Sequence, residues 1–237
     1  MKITHNLAQG IGCLNNLRQL EFACLLYIED SRDFLPPNPG WVTGWLDFQA
    51  NNRDNTNLNL LLDPRVAKLA PYTRAAAIYK CPADRSIVKE GSQRLARVRS
   101  ISMNVALGDD GLPLNASRTW LGTPKYRKYV RQSDITAPSP SMMWVMVDEH
   151  PDSINNSDMA VKCDARGQAA QFIDYSASYH NGACGFSFAD GHAEIHKWID
   201  ARTRIPIRYN GTVPNGAASP NNPDIAWMQD RTSSLAN

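Results

Sequence analysis

The sequence lacks any apolar run of the ~18 residues that a membrane-spanning helix requires, and residues 1–12 contain no apolar signal-peptide core. As written, the chain is therefore expected to be soluble, with no membrane segment and no export signal. It also lacks a strongly basic surface, since the net charge is only +2 and the lysines and arginines are scattered. We expect no nucleic-acid partner.

Closely spaced cysteine pairs are absent, which excludes a zinc ribbon or a thioredoxin-like redox motif. The five cysteines are an odd number and cannot all pair internally; they are Cys13, Cys24, Cys81, Cys163 and Cys184. Cys13 and Cys24 fall in a predicted helix and Cys184 in a predicted strand, where a free cysteine usually behaves as a small buried hydrophobe. A bridge between Cys81 and Cys163 stays open, although their spacing does not support it.

Local catalytic signatures are missing too. There is no G-x-S-x-G, no H-E-x-x-H and no glycine-rich phosphate loop. We therefore expect a non-enzymatic protein, with a hydrolase as the alternative.

What the sequence does contain is the pattern of an α+β domain, with 43% apolar residues. Apolar residues three and four apart predict a helix over 13–30, and Asp63 followed by Pro64 predicts the start of a second helix within 58–72. Residues 108–140 predict a long irregular segment, and residues 211–237 a Pro/Asn/Gly-rich tail that wraps over the domain or is partly mobile. Alternating or apolar runs predict strands at 98–105, 142–148, 159–163, 184–188 and 192–198.

The last two predicted strands form a hairpin, because Asp190-Gly191 between them supplies the backbone freedom of a tight turn. Cys184, Phe186 and Phe188 alternate with small residues, so we expect one face of this hairpin to be the core face.

His180, nine further residues and Asp190-Gly191 resemble the H-x9-D-G segment of a family of bacterial pseudopilin-like proteins, the prepilin-type-processing-associated H-x9-D-G domain. Four other stretches are similar to the same family. CLNNLRQLEFACLLYIEDSRDFLPPN is similar to its helix and exit loop, and YKCPADRS to its Cys-Pro-x-Asp turn. RVRSISMNV is similar to its Ser-x-Ser-Met-Asn strand, and MVDEHPDSIN to its acidic Asp-Glu-His turn. Together these stretches cover about residues 20–200, with gaps.

The resemblance implies an N-terminal helix packed on an antiparallel β-sheet with long irregular loops, as in type II secretion pseudopilins. Residues 1–30 would then be the C-terminal half of the pseudopilin helix, residues 31–210 the globular domain and 211–237 the tail. The family's basic leader and apolar helix do not precede this stretch, so we expect either a fragment or a relative without the anchor. The implied setting is the periplasm or cell surface, in assembly, secretion or surface binding, and the implied partners are pseudopilin or secretion-system subunits, or polysaccharide.

Carboxylates and histidines cluster in the second half of the chain and are candidate ligands for Ca²⁺ or Zn²⁺. The candidates are Asp148, Glu149, His150, His180, Asp190 and His192. A straight strand would carry His180 and Asp190 to opposite ends, so we expect His180 to tie down the loop before the strand and Asp190 to fix the hairpin by an Asx-type hydrogen bond.

Two alternatives to the non-enzymatic assembly role remain. A metal-dependent hydrolase of an ester, lactone or glycan would use Glu149 as its base with His180 or His192 as a ligand. A carbohydrate-binding module would use Trp41 and Trp45, which lie in a Pro/Gly-rich loop where side chains are often presented to a partner.

Overall fold

The computed structural model describes residues 2–111, 120–122 and 125–236, the first five of these by backbone alone. Helix α1 spans Lys2–Asp30. Its apolar residues recur at helical spacing and give it one buried face, which includes Leu17 and Leu20. The predicted helix over 13–30 is confirmed.

The end of α1 near Asp30 is also confirmed. Arg32 and Asp33 adopt left-handed φ angles of 54° and 74°. The Asp33 amide donates to the Ile28 carbonyl at 2.9 Å, which closes the last turn as in a Schellman-type helix end.

Two short strands, β1 (Ile87–Glu90) and β2 (Gln93–Ala96), form a hairpin of their own. The next five strands are β3 Ile101–Asn104, β4 Trp144–Asp148, β5 Asp158–Met159, β6 Ala183–Phe188 and β7 Ala193–Lys197. They form one sheet in the order β5-β3-β4-β6-β7. All neighbours are antiparallel except β3 and β5, which are parallel. Helix α1 packs on β6, β7 and β4, so the predicted α+β architecture, a helix on a mainly antiparallel sheet, is confirmed.

The predicted core face of the hairpin is confirmed, because Cys184, Phe186 and Phe188 are buried. Strand β6 is buried along its whole length, however, so its other face is covered too. A Cβ on Gly185 would lie 2.7 Å from Leu17 Cδ1 of α1. The Ser187 hydroxyl donates to the buried Glu21 carboxyl group of α1 at 2.8 Å. The small residues that the alternation placed outside therefore lie against the helix.

A β-bulge in β4 decides which side chains face α1. Trp144 pairs with Phe188 and Val147 with Phe186, so three steps along β4 match two along β6. Trp144 and Val147 therefore share the sheet face of Phe186, whose ring lies 6.0 Å from that of Trp144. Asp148, the next residue, faces the other way, toward α1.

Two predicted elements are shorter than expected. Helix α2 spans only Asn59–Leu62, and Asp63 ends it instead of starting a helix, because a residue before proline favours extended backbone. The strand predicted at 159–163 stops at Met159, because the Ala160 amide bonds to the Asp174 carboxylate at 2.7 Å instead of to a strand.

A hairpin of β1 (Ile87–Glu90) and β2 (Gln93–Ala96) was not predicted. Five of its eight residues are exposed and its apolar residues do not alternate with polar ones, so it carries little strand signal. The predicted irregular segment 108–140 holds turns, isolated bridges and a short 3₁₀ helix where it is described, while residues 112–119 and 123–124 of it lie outside the described residues.

The tail ends in helix α3, Pro223–Thr232, and wraps over the domain. Asn222 caps it by accepting from the Asp224 amide at 2.8 Å, and Pro223 occupies the first helical position. The Trp144 indole donates to the Thr232 hydroxyl at 2.9 Å, which joins α3 to the sheet face opposite α1.

Within the part of the chain that the structure describes, no helix combines the length and the apolar character that crossing a membrane requires.

Candidate metal centre

Four side chains of ligand type meet between α1 and the sheet, and we call them the Cys-Asp-His cluster. Cys13 lies on the buried face of α1, and Cys81 follows the 3₁₀ helix Ala76–Tyr79. Asp148 is the last residue of β4, and His180 lies in the turn before β6. One donor atom from each lies within 4.8 Å of the others, and all four residues are buried.

Hydrogen bonds hold this cluster in place. Cys81 Sγ and His180 Nε2 are 3.4 Å apart. The Ser100 hydroxyl donates to Asp148 Oδ1 at 2.7 Å and accepts from the Cys81 amide at 2.9 Å. Asp148 Oδ2 and His180 Nδ1 are buried with no hydrogen-bond partner among the described residues.

The buried setting favours the uncharged form of each group. Burial, followed by the charge of nearby Cys81, raises the pKa of the Asp148 carboxyl well above its usual range. The hydrogen bond with Cys13 and then burial raise the pKa of the Cys81 thiol. Burial lowers the pKa of His180.

Cys13 is subject to opposing effects. The hydrogen bond with Cys81 lowers the pKa of its thiol, but burial and the charges of Asp148 and Cys184 outweigh that bond and raise it. Without a cation, these shifts favour the protonated thiols and the protonated carboxyl. A bound cation would displace these protons, because thiolate and carboxylate are the ligating forms.

Thiolate, imidazole and carboxylate are all donor types that bind Zn²⁺ in proteins. Ca²⁺ prefers six to eight oxygen ligands, which the Cys-Asp-His cluster does not supply. The arrangement therefore suits Zn²⁺ or a similar borderline-soft ion.

Of the predicted candidates, Asp148 and His180 lie in the cluster. Among the described residues it is the one group of three or more ligand-type side chains close enough to share an ion. His180 was expected to tie down the loop before the strand; its backbone amide does so by donating to the Ala183 carbonyl at 3.2 Å, while its ring contacts Cys81.

Glu149 and His150 lie elsewhere in the interior. Burial and then the charge of Asp174 raise the pKa of the Glu149 carboxyl well above its usual range. His150 Nδ1 accepts from the Asp152 amide at 3.2 Å. The two residues follow Asp148 directly, but neither joins the Cys-Asp-His cluster.

Asp190 and His192 lie at the exposed turn of the β6–β7 hairpin. Asp190 Oδ1 accepts from the His192 amide at 3.2 Å, which confirms the expected Asx-type role of Asp190. The same oxygen lies 2.5 Å from His192 Nδ1, and the His192 ring stacks on Phe188 with centroids 4.2 Å apart.

Sequence reasoning missed Cys13 and Cys81 as ligand candidates. The description of Cys13 as merely a small buried hydrophobe is incomplete, because its thiol belongs to the cluster. The bridge between Cys81 and Cys163 is not formed, and all five cysteines are free. The four cluster residues are dozens of positions apart, so no local spacing could have identified them.

The two loop tryptophans have different environments. The expectation that Trp41 is presented to a partner is wrong: it is fully buried, its indole donates to the Ser157 carbonyl at 2.8 Å, and its ring stacks on Tyr79. The loop folds back because the indole N–H finds this buried acceptor. Trp45 is 53% exposed, as expected.

Compared with known proteins, the chain matches no family model, no curated protein and no solved structure.

Proposed function

We propose that this chain is the globular part of a pseudopilin-like envelope protein that acts in assembly, secretion or surface binding and does not catalyse a reaction. The H-x9-D-G resemblance supports this proposal, and so does the helix-on-sheet architecture that the resemblance predicts. Its setting would be the periplasm or cell surface, with other pseudopilin-type subunits as partners.

The observation that carries the proposal is the outer face of α1, defined by Leu7, Ile11, Arg18 and Phe22. These positions share one side of the helix because they follow each other at steps of four and seven. Leu7 is 65% exposed, Ile11 54% and Phe22 62%. Large apolar side chains aligned on one exposed helix face are typical of a helix that packs against a neighbouring subunit.

Site-specific photo-crosslinking in a bacterium that makes the protein tests this assignment. We expect a photoreactive residue at Ile11 or Phe22 to crosslink to a second copy or to another subunit with a pseudopilin-type helix, identified by mass spectrometry. The matched control is Ile199, which is 71% exposed but lies outside α1. Equal crosslinking from Ile199, or none from α1, would contradict the proposal.

A cleft beside Trp45 favours carbohydrate as a second candidate partner. The cleft has a volume of ≈ 240 Å³, and its walls include Asp47, Arg97, Asn155 and Asp174. Buried Arg97 has two guanidinium nitrogens, Nε and Nη2, with no hydrogen-bond partner among the described residues. An exposed indole beside a cleft with polar walls matches the needs of a sugar ring, whose face stacks on aromatics and whose hydroxyls form hydrogen bonds.

Affinity electrophoresis in gels that contain soluble polysaccharides tests the carbohydrate candidate. We expect Trp45→Ala to weaken retention by roughly tenfold or more, the usual loss for a central aromatic contact. Trp120→Ala is the matched control, since Trp120 is 55% exposed and does not line the cleft. Equal retention of both variants and the unmodified protein would remove this candidate.

The hydrolase alternative gains no such support. Its residues do not converge, because Glu149 lies outside the Cys-Asp-His cluster and His192 lies at the exposed hairpin turn.

A further inference from the structure

The Cys-Asp-His cluster has the dimensions of a tetrahedral metal site. Zn–S bonds of about 2.3 Å place two ligand atoms of a tetrahedron about 3.8 Å apart. The donor atoms of Cys13, Cys81, Asp148 and His180 all lie within 4.8 Å of one another, and the Cys81–His180 pair is already at 3.4 Å. Nitrogen and oxygen ligands bind about 0.2–0.3 Å closer to zinc than sulfur, so a contraction of up to about 1.5 Å brings all four onto one ion.

A second observation points to a ligand at the same place. Asp148 is fully buried, yet its Oδ2 has no hydrogen-bond partner among the described residues. A buried polar atom without a partner destabilises the folded state, and such atoms often mark the position of an ion or a water. Ser100 occupies only Oδ1 of Asp148, which leaves Oδ2 available to a cation.

We propose that Cys13, Cys81, Asp148 and His180 together bind one Zn²⁺-class ion that fastens α1 to the sheet. Two thiolates, one imidazole and one carboxylate complete a tetrahedral shell, so no position is left for a substrate or a reactive water. The site is therefore structural. Binding exchanges the two thiol protons and the carboxyl proton for the ion, which leaves a net charge of −1 on the complex.

The position of the ligands explains what the ion would stabilise. Cys13 comes from α1, Cys81 from the loop after a 3₁₀ helix, Asp148 from the central strand β4 and His180 from the turn into β6. One ion would therefore link four segments that are far apart in sequence. This inference does not depend on the envelope role, and it holds or fails independently of that role.

Cobalt substitution of the purified, reduced protein tests the proposal. We expect one equivalent of Co²⁺ to give the visible absorption of a tetrahedral site and the near-ultraviolet thiolate-to-cobalt band, and Zn²⁺ to abolish both. Zn²⁺ should also raise the thermal midpoint, because an ion bound only by the native state stabilises it. Cys13→Ser and Cys81→Ser should each lose at least about half of the thiolate band, because each removes one of the two thiolate ligands.

Matched controls come from the same chain. Cys24→Ser and Cys163→Ser remove buried thiols outside the cluster and should keep the cobalt spectrum. If a cluster variant does not fold, the unmodified protein loaded with Zn²⁺ still tests the proposal. A mercurial that modifies its thiols should release one Zn²⁺ per chain, which a chromogenic chelator measures. A folded protein that gives no thiolate band, or binds less than a tenth of an equivalent of Zn²⁺, would overturn the proposal.

Discussion

At the level of single residues, Glu21 couples the stability of the fold to pH. The pKa of its carboxyl is raised from 4.5 to about 8. Burial is the main cause, the charge of Asp190 adds to it, and the hydrogen bond from Ser187 partly opposes both. The folded protein therefore keeps a proton that the unfolded chain loses near pH 4.5. Since the folded state binds the extra proton, the free energy of unfolding falls as pH rises from about 4.5 to about 8.

Glu21→Gln should remove this fall, because glutamine is neutral at every pH and its oxygen can still accept from Ser187. Glu21 lowers the free energy of unfolding by roughly 1.4 kcal/mol for each pH unit in this range. The free energy of unfolding of the variant, relative to that of the unmodified protein, should therefore increase toward pH 8. Urea unfolding at pH 5, 6.5 and 8 measures it. Glu29→Gln, at an exposed position of the same helix, is the control, and parallel pH curves for Glu21→Gln and the unmodified protein would refute the expectation.

Gly185 is required by the close approach of β6 to α1. A Cβ there would lie 2.7 Å from Leu17 Cδ1 and 3.0 Å from Cys13 Sγ. We expect Gly185→Ala to lower the free energy of unfolding by about 1–3 kcal/mol, the usual cost of overpacking. In a Leu17→Ala background the added methyl group finds space. Chemical denaturation should therefore show that Gly185→Ala lowers the free energy of unfolding by less in that background. An equal loss in both backgrounds would exclude the contact with Leu17 as the cause.

At the level of elements, Asp152 organises the loop that follows β7. Its carboxylate accepts from four consecutive backbone amides, Arg208, Tyr209, Asn210 and Gly211, at 2.6–3.1 Å. Burial alone would raise the pKa of Asp152, but the four N–H donors outweigh burial and lower it. The carboxylate thus stabilises the fold above its unfolded pKa near 3.8, and this stabilisation is lost as pH falls through the lower folded pKa.

Asp152→Asn should loosen this loop, because an amide group would turn its own N–H donors toward four backbone N–H groups. We expect a loss of about 1.5–3 kcal/mol, as for hydrogen bonds to a charged group, and a smaller dependence on acid than in the unmodified protein. Hydrogen exchange should speed up at residues 208–211 and stay slow in β6. Asp200→Asn, whose carboxylate mainly pairs with Arg202, serves as the control, and unchanged exchange at 208–211 would contradict the prediction.

The elements that sequence reasoning predicted well are those with long apolar periodicity. Helix α1 and strands β4, β6 and β7 belong here, because many residues repeat the same signal. The β1–β2 hairpin went unpredicted because most of its side chains are exposed. The helix at 58–72 was overpredicted because Asp63 before Pro64 fits either end of a helix.

The candidate site was predicted only in part, for a related reason. Asp148 and His180 carry charge or a ring nitrogen and stand out beside an apolar strand. Cys13 looks like any apolar residue on the inner face of a helix, and only the fold brings it to Asp148. Ligand-type residues that are far apart in the chain meet only through the tertiary structure, so they form no motif of fixed spacing in the sequence.

For the whole molecule, the tail completes the core. Residues from α1, the sheet and α3 belong to a single buried cluster, from Cys13 to Met228. A chain that ends after Asn222 lacks α3 and exposes the Trp144 side of the sheet, so we expect it to lose cooperative unfolding. A chain that ends after Ser234 keeps α3 and should unfold cooperatively. Near-ultraviolet circular dichroism during heating compares the two truncated chains. Equal unfolding transitions would show that α3 is not needed to complete the core.

The packing of α1 on β6 and β7 also sets an order of events during synthesis. The apolar face of α1 leaves the ribosome early, but the strands that cover it end only at Lys197. At ordinary rates of translation this interval lasts roughly ten to thirty seconds. Throughout it, Leu17, Leu20 and their neighbours have no native partner, so the inner face of α1 stays exposed on the nascent chain until β6 and β7 have been made.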